Sequence, residues 1–206
     1  MFYFTTRGEK NKLEEQGARV IDVSSRAPEP FCCLSPFYPH GKIPIPGIKG
    51  EFADSVEGVW QGLKIINDKI DRTRFQGPGR KRRGEPKGHL YGERVINYIQ
   101  ARKLIYLPLY RWMIYNSPLA RQVSLDLLKQ GQNQDIYLYD FETNPDIENL
   151  DKPLAHAAVL AQILNENLAT LRQYREDKGF KQEYDENDKG QPKYLLADLI
   201  IKGGYS

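Results

Sequence analysis

The segment SVEGVWQGLK, residues 55–64, predicts a short helix whose polar side chains share one face. At about 100° per residue, Glu57, Gln61 and Lys64 fall within about 60° of one another and form one polar stripe. Trp60 adjoins this stripe, so its ring can wall one side of a polar cleft. A solvated helix face is the ordinary explanation for three such residues, and the neighbouring indole makes a binding cleft the functional alternative.

The helix around this stripe is predicted to begin at Asp54 or Ser55, either of which is a suitable N-cap. Apolar residues at helical spacing extend the prediction to about Ile70. Gly58 and Gly62 lie one turn apart on another side, where each weakens a helix by roughly 1 kcal/mol relative to alanine. Close approach of a neighbouring element or of a ligand explains these glycines, and tight helix packing is the preferred explanation.

The pattern outside this helix predicts short strands separated by loops and further helices. Strands are expected at MFYFTT (1–6), ARVIDVSS (18–25) and DIYLYDF (135–141), with Ile136 and Leu138 sharing one face. Residues 7–17 are expected to form a turn or short helical connection, and the Pro-rich residues 26–50 an extended loop. Helices are expected at residues 92–106, 107–116 and 118–130 and in a long segment that Asp151 and Pro153 open.

Three positions mark the ends of the later elements. Pro108 is predicted to end one helix or open the next, and Ser117 with Pro118 forms an N-cap and first-turn pair. Residues 175–193 form a polar excursion before the apolar stretch YLLADLII, residues 194–201. Together these elements predict an α+β fold that is mainly α-helical, in a single domain over residues 1–206.

The composition is that of an ordinary soluble protein, with 206 residues, 40% hydrophobic and 28% charged. No stretch approaches the roughly 18 apolar residues of a membrane span, and the N-terminus lacks the pattern of a signal peptide. We therefore expect a cytoplasmic protein with no membrane partner. Cys32 and Cys33 are adjacent and too few for a disulfide framework or a zinc site, so reduced structural thiols are expected.

A net formal charge of +3 conceals a strong asymmetry along the chain. Residues 72–87 carry seven Lys or Arg and one acid, whereas residues 135–189 carry 13 acids and six Lys or Arg. The loop GPGRKRRG offers backbone N–H groups and the guanidinium groups of Arg80, Arg82 and Arg83 to a phosphate, without the spacing of a Walker loop. A solvated surface loop, a pyrophosphate site and a nucleic-acid contact remain open as its role.

A paired acid and amine suit the chemistry of sugars. Glu57 can move protons, while a deprotonated Lys64 can attack the aldehyde of an opened ribose and form a Schiff base. An ionised Glu57 would raise the pKa of Lys64, so burial or the nearby basic loop must outweigh that attraction. Phe37 and Tyr38 can stack a base, although core packing is the slightly preferred explanation. His156, in PLAHAAVL, is predicted to be a structural histidine.

In their order along the chain, LSPFYP, SVEGVWQGLK, GPGR and IYLPLYRWMIYNSPLARQVSLDLL resemble the NADAR superfamily. Its members are mainly helical N-glycosidases that act on ribosides; some remove ADP-ribose from guanine, and relatives cleave early intermediates of riboflavin biosynthesis. The resemblance covers roughly residues 31–170. It implies a NADAR-like core there, with residues 1–30 as an N-terminal strand extension and residues 174–206 as a C-terminal extension.

The resemblance also implies roles for individual residues. Glu57 matches the acidic catalytic residue and Lys64 the Schiff-base lysine of the signature helix. The remaining matches are to positions that contact the ligand: Trp60 and Gln61 in the pocket, Ser35 and Phe37 in the early loop, and Arg80 at the phosphate.

The sequence departs from the family pattern at two points. Gly58 follows the glutamate where many members carry a bulky residue or His, so the pocket is expected to be wider there. The family's late Asp beside a Trp-Gly pair has no clear match; Asp140, Asp146 and Asp151 are candidates, and Asp140 is preferred because it ends a predicted strand.

The leading hypothesis is an enzyme that removes ADP-ribose from ADP-ribosylated guanine, in a nucleotide or in nucleic acid, without a cofactor or metal. The alternatives are an N-glycosidase of phosphoribosyl intermediates of riboflavin biosynthesis, and a non-catalytic module that binds ADP-ribose, NAD-like ligands or nucleic acid. The sequence leaves the oligomeric state open.

Overall fold

The computed structural model of the protein describes residues 1–177 and 196–203. It is a mixed fold of helices and short strands, in which the helices predominate. The strands are β1 (Phe2–Thr5), β2 (Arg19–Asp22), β3 (Ile43–Pro44), β4 (Phe52–Ala53), β5 (His89–Tyr91), β6 (Arg94–Ile96) and β7 (Ile136–Tyr139). The α-helices are α1 (Arg7–Glu15), α2 (Val56–Leu63), α3 (Tyr98–Ala101), α4 (Leu107–Asn116), α5 (Pro118–Gly131), α6 (His156–Asp177) and α7 (Leu196–Gly203).

A three-stranded parallel sheet brings the beginning of the chain against its later part. Strand β7 lies at the centre, with β1 on one side and β2 on the other. Ile136 and Leu138 are fully buried on the same face, as predicted, and Tyr3 stacks on Tyr137 with their ring centroids 5.1 Å apart. The side-chain amide of Asn165 on α6 forms hydrogen bonds with both the backbone N–H and the carbonyl of Phe2, so these two groups at the edge of β1 have partners. The N-terminal strands therefore share a sheet with the late strand β7.

Helix α2 is shorter than the sequence predicts. Ser55 is its N-cap and accepts a hydrogen bond from the Gly58 N–H at 3.0 Å, but the helix ends at Leu63 and Lys64 is extended. The prediction that it continues to Ile70 is wrong because Asn67 and Asp68 both adopt positive φ, 53° and 59°. Such a pair forms a tight two-residue hairpin turn, for which Asn and Asp are the favoured non-glycine residues.

The segment at residues 92–106 is also corrected. Its first part supplies the turn and strand β6 of the β5–β6 hairpin, and helix α3 begins only after Asn97, which forms a capping box with Gln100. Helix α3 continues through a π-helical turn, Arg102–Tyr106, into α4. Pro108 lies in the first turn of α4, but the helical backbone is continuous from α3, so the residue neither ends one helix nor opens a separate one.

The later helices follow the predictions in part. Helix α5 begins at Pro118 after the N-cap position Ser117 and ends at Gly131, as expected. Helix α6 begins at His156 and not near Asp151 or Pro153, because the preceding residues form a loop closed by a bridge between Asn144 and Leu154. The apolar stretch at residues 194–201 supplies α7, whereas most of the predicted polar excursion lies outside the described residues.

The Pro-rich segment, residues 26–50, forms mainly turns and loops, with a 3₁₀ turn at Phe31–Leu34 and the short strand β3. It is fixed to the N-terminal end of α2, because the Glu57 N–H donates to the Pro36 carbonyl at 2.9 Å. Across residues 1–177 and 196–203, no helix has both the length and the apolar character that crossing a membrane requires.

Glycines allow two segments to approach α2 closely. A Cβ on Gly62 would lie 2.2 Å from the Phe75 ring, which confirms the prediction of tight packing at this position. Gly79, in the basic loop, has a φ of +73°, and a Cβ there would lie 2.3 Å from the backbone nitrogen of Gly58. The basic loop therefore rests directly on the backbone of α2 beside Glu57.

Gly79→Ala is expected to lower the free energy of unfolding by about 3 kcal/mol, from backbone strain together with overlap against α2. Gly77→Ala is a matched control, because Gly77 has a φ of +72° and nothing among the described residues lies within 4 Å of the added Cβ. The control is expected to lose only about 1 kcal/mol. Denaturant unfolding measures both losses, and equal losses would contradict the close contact.

Candidate functional site

A cavity of about 760 Å³ opens where the central strand of the parallel sheet ends. Asp140 follows β7 directly and lines the cavity, and Arg26, in the segment after β2, lines it as well. The carboxyl ends of parallel strands commonly form ligand sites, because the following loops diverge there. Helix α2 supplies another wall with Glu57, Trp60 and Gln61. The volume falls within the usual range for small-molecule sites.

The polar stripe of α2 forms a continuous chain of hydrogen bonds. The Gln61 amide donates to Glu57 Oε1 at 2.6 Å, and the Lys64 ammonium donates to Gln61 Oε1 at 3.1 Å. The Arg82 N–H donates to the same Gln61 oxygen at 3.2 Å. These contacts fix the orientation of the Gln61 amide, because its oxygen faces two donors and its nitrogen faces a carboxyl group. Gln61 thus links the acid to the amine.

Glu57 is buried at the cavity wall, and its environment favours the neutral acid. Burial raises the pKa of Glu57 to about 7, against the hydrogen bond from Gln61 and the positive charges of Lys64, Lys81 and His156. The Gln61 amide bonds Oε1, so Oε2 can present a proton to the cavity. A carboxyl group that titrates near neutral pH is suited to general acid catalysis.

Lys64 is also buried, with 6% of its surface exposed. Burial lowers the pKa of Lys64, and the charges of Lys81 and Arg82 lower it further, whereas Glu57 opposes the shift. Its Nζ lies 5.7 Å from the centre of the Trp60 ring and 5.8 Å from that of Tyr98. The predicted tension between Glu57 and the desolvation of Lys64 is thus present, and the lowered pKa favours an available amine.

His89 packs behind this pair. Its ring centroid lies 4.0 Å from that of Trp60, and its backbone forms a bridge with that of Lys64. Burial and the charge of Lys64 lower the pKa of His89 to about 3, although the backbone of Trp60 acts to raise it. The imidazole is therefore neutral and adds no charge beside the lysine.

Asp140 and His156 form a buried ion pair at the cavity. His156 Nδ1 lies 2.7 Å from Asp140 Oδ2, and His156 Nε2 donates to the Val23 carbonyl at 2.8 Å. Burial lowers the pKa of His156, but the carboxylate of Asp140 and the Val23 carbonyl outweigh it, so the pKa lies above its usual value. Asp140 also accepts the backbone N–H groups of Phe141 and His156. Both carboxylate oxygens are thereby occupied, and Asp140 caps the start of α6.

The structure brings seven of the sequence-predicted site residues and candidates to the cavity wall: Phe37, Glu57, Trp60, Gln61, Lys64, Asp140 and Asp151. Ser35 is fully buried and accepts a hydrogen bond from the Phe37 N–H, and Tyr38 packs on His40 with ring centroids 4.7 Å apart. Neither lines the cavity. Their loop instead brings Phe37 to the cavity wall, and the carbonyl of the neighbouring Pro36 accepts the Glu57 N–H.

The predicted phosphate-binding arginines lie elsewhere. Arg80 and Arg83 are exposed outside the cavity lining. The Arg82 guanidinium donates to the carbonyls of Gln61, Lys64 and Lys69, so it closes the C-terminal end of α2. Lys81 is the member of this basic run that lines the cavity.

Several cavity residues were missed by sequence reasoning. Tyr98, Arg102 and Tyr106 come from α3 and the π-helical turn, and Glu142 follows Asp140 after β7. The spacing of apolar residues does not distinguish a π-helical turn from an α-helix. The role of His156 at the cavity depends on its contact with Asp140, 16 positions earlier in the chain. These contacts depend on tertiary structure.

In the part of the chain that the structure describes, no group of three or more His, Cys, Asp or Glu side chains is arranged to bind a metal.

Glu57→Gln is expected to stabilise the protein at high pH. The folded pKa of Glu57, about 7, lies above its ordinary value of 4.5, so the native state binds the proton more tightly than the unfolded state. The free energy of unfolding of the protein therefore falls as the pH rises from 4.5 to about 7. The glutamine retains an acceptor for Gln61 and carries no charge. At pH 8 the variant should be more stable by about 3 kcal/mol, and at pH 4 by much less.

Denaturant unfolding at the two pH values tests this, with the exposed Glu51→Gln as a control for removal of a carboxylate. A stability difference that does not change with pH would show that Glu57 has an ordinary pKa in the folded protein.

Comparison with known proteins places the chain in a family. No curated protein and no solved structure matches it. A family model described as a family of unknown function, DUF6939, matches residues 6–160, which includes the polar stripe of α2, the basic loop and the Asp140–His156 pair. The chain therefore belongs to the DUF6939 family.

Proposed function

We propose that the protein is an N-glycosidase that cleaves the bond between ribose and a base, and that it removes ADP-ribose from ADP-ribosylated guanine in a nucleotide or nucleic acid. The observation that carries this proposal is the buried chain Glu57–Gln61–Lys64 at a cavity wall. Burial raises the pKa of the acid to about 7 and lowers that of the amine, so both shifts favour a proton donor and an amine nucleophile in one site. The resemblance of this segment to the NADAR signature helix supports the same roles.

The reaction begins with opening of the ribose ring. The Glu57 carboxylic acid gives its proton to the ring oxygen, the C1′–O4′ bond breaks, and the lone pair of the base nitrogen forms a C1′=N double bond. The neutral Lys64 amine then adds to C1′. A proton moves from the lysine nitrogen to the base nitrogen through the Glu57 carboxylate.

The base then leaves with the electron pair of its C1′–N bond, and the lysine nitrogen forms a Schiff base with C1′. Water then adds to C1′, one of its protons passes to Nζ and the other to the Glu57 carboxylate, and the C1′–Nζ bond breaks. This regenerates the Lys64 amine and the Glu57 acid, and the O4′ hydroxyl adds to the C1′ aldehyde to close the ribose. The net reaction consumes one water and releases the base, with a hydrogen on its nitrogen, and a free ribose end. Residues of this chain supply each proton transfer.

The wider cavity offers contacts for the rest of the substrate. Phe37 and Phe141 line it with 39% and 46% of their surfaces exposed, and such rings can stack on a base. Arg26 and Lys81 line it as cations and can contact a phosphate. Asp140 acts through His156, because it holds the imidazole whose protonated form lowers the pKa of Glu57.

The test is turnover of two substrates with product detection by mass spectrometry. Wild-type protein and a Lys64→Met variant are incubated with ADP-ribosylated guanosine and, separately, with a phosphoribosyl pyrimidine. Release of ADP-ribose that depends on Lys64 supports the proposal. Cleavage of the small riboside alone would assign the phosphoribosyl N-glycosidase, and recovery of both compounds intact would contradict glycosidase activity and leave a binding module.

A further inference from the structure

One wall of the cavity is a loop with little hydrophobic anchoring of its own. The wall loop, residues 144–154, contributes Leu150, Asp151, Lys152, Pro153 and Leu154 to the lining. Most of its residues are exposed, and Leu150 exposes 49% of its surface. Burial of apolar side chains therefore contributes little to its shape, and its hydrogen bonds must provide the order.

The Arg102 guanidinium supplies most of those hydrogen bonds from outside the loop. It donates to the carbonyls of Ile147 at 2.7 Å, Asn149 at 2.6 Å and Lys152 at 3.0 Å, with a longer contact of 3.4 Å to Asp146. Arg102 is 3% exposed, and among the described residues no carboxylate lies within 4 Å of it. A buried cation is thus held by backbone carbonyls of one loop.

The hydrogen bonds from Arg102 are not needed simply to satisfy the carbonyl groups of the wall loop. Asn144 Nδ2 already donates to the Asn149 and Lys152 carbonyls at 2.9 and 3.0 Å, and an exposed loop can also direct its carbonyls to water. Burying a guanidinium carries a desolvation penalty, and burial is the main reason that the pKa of Arg102 lies below its usual value. The gain from Arg102 is therefore a defined loop shape at the cavity.

Arg102 also lies in an irregular part of the helical backbone. It begins the π-helical turn that ends at Tyr106, and both of these residues line the cavity. Turns of this kind are rare and occur frequently at functional sites. The irregular turn thus joins the wall loop to the α3–α4 side of the same cavity.

We propose that Arg102 is a positioning residue that holds the wall loop in the shape that contacts the substrate. This rests on the proposed function for its kinetic consequence, since the wall loop binds substrate while Glu57 and Lys64 perform the chemistry. Loss of Arg102 then weakens substrate binding and leaves the chemical step largely unchanged. A residue needed only for folding would instead lower the amount of active protein and leave KM unchanged.

The experiment compares Arg102→Met and Arg102→Lys with wild type, and uses Lys103→Ala as the matched control. Lys103 forms an exposed ion pair with Glu148 of the same loop, so the control removes a surface contact to the wall loop. Hydrogen–deuterium exchange of residues 146–152 measures loop order, and steady-state kinetics measure kcat and KM. Thermal unfolding establishes that each variant is folded.

Arg102→Met is expected to speed exchange of the wall loop by about tenfold or more and to raise KM about tenfold, with kcat within about threefold of wild type. Arg102→Lys should recover part of the protection, and Lys103→Ala should change either value less than about twofold.

Unchanged exchange in folded Arg102→Met would overturn the proposal, as would a fall in kcat with KM unchanged. If the wild-type protein cleaves no riboside, the proposed function fails by itself, and the exchange of the wall loop alone decides the role of Arg102.

Discussion

Lys64→Met is expected to lower kcat/KM for riboside cleavage by about a thousandfold or more, because it removes the amine that forms the covalent intermediate. The methionine retains an apolar stem of similar length against Trp60 and Tyr98, so the fold is expected to persist. Lys64→Arg keeps the positive charge but supplies no comparable nucleophile, and it should be as inactive. The two variants together separate the charge of Lys64 from its nucleophilicity.

Lys69→Met is the matched control for this experiment. Lys69 is exposed and lies five residues further along the chain, outside the cavity lining. It should retain kcat/KM within about twofold of wild type. Initial rates at saturating and limiting substrate, with circular dichroism of each variant, provide the measurement. Substantial turnover by folded Lys64→Met would contradict the Schiff-base mechanism.

His156→Leu is expected to lower the free energy of unfolding by about 3–5 kcal/mol at pH 6, because it leaves the buried Asp140 carboxylate without its partner. The sign of the pH dependence follows from the raised pKa of His156. The stabilisation by His156 is fully present below its unfolded pKa of about 6.5 and is lost as the pH rises through the folded value. The effect of the substitution should therefore shrink at alkaline pH.

His40→Leu provides the comparison for this prediction. His40 Nε2 bonds the Cys33 carbonyl at 2.8 Å, but burial lowers the pKa of His40 and no carboxylate pairs with it among the described residues. Its replacement should lose only about 1 kcal/mol. Denaturant unfolding of both variants at pH 6 and pH 8.5 measures the difference. Equal, pH-independent losses would contradict an ion pair at Asp140.

The sequence predicts the local part of the site because the relevant information is periodic. Three residues at helical spacing place Glu57, Gln61 and Lys64 on one face, and the structure joins them by hydrogen bonds. The Ser55 cap and the late strand at Ile136 follow from the same kind of local pattern. These features require no knowledge of the rest of the chain.

Features that depend on distant contacts were not accessible in this way. Arg80, Arg82 and Arg83 are chemically equivalent in sequence, and only packing of the loop through Gly79 onto α2 decides that Lys81 lines the cavity. His156 looks like an ordinary helical residue until Asp140 is placed beside it. The early end of α2 was available locally, since Asn67–Asp68 is a recognised turn pair, but its apolar neighbours continue the helical pattern.

The most direct test of the proposed chemistry is borohydride reduction during incubation of the wild-type protein with ADP-ribosylated guanosine, followed by intact-mass and peptide mass spectrometry. A Schiff base at Lys64 predicts that reduction fixes an ADP-ribosyl group on the peptide containing Lys64, with loss of the guanine-containing product. The adduct should be absent from Lys64→Met. Turnover without any trapped adduct, or an adduct on another lysine, would contradict the assignment of Lys64 as the nucleophile.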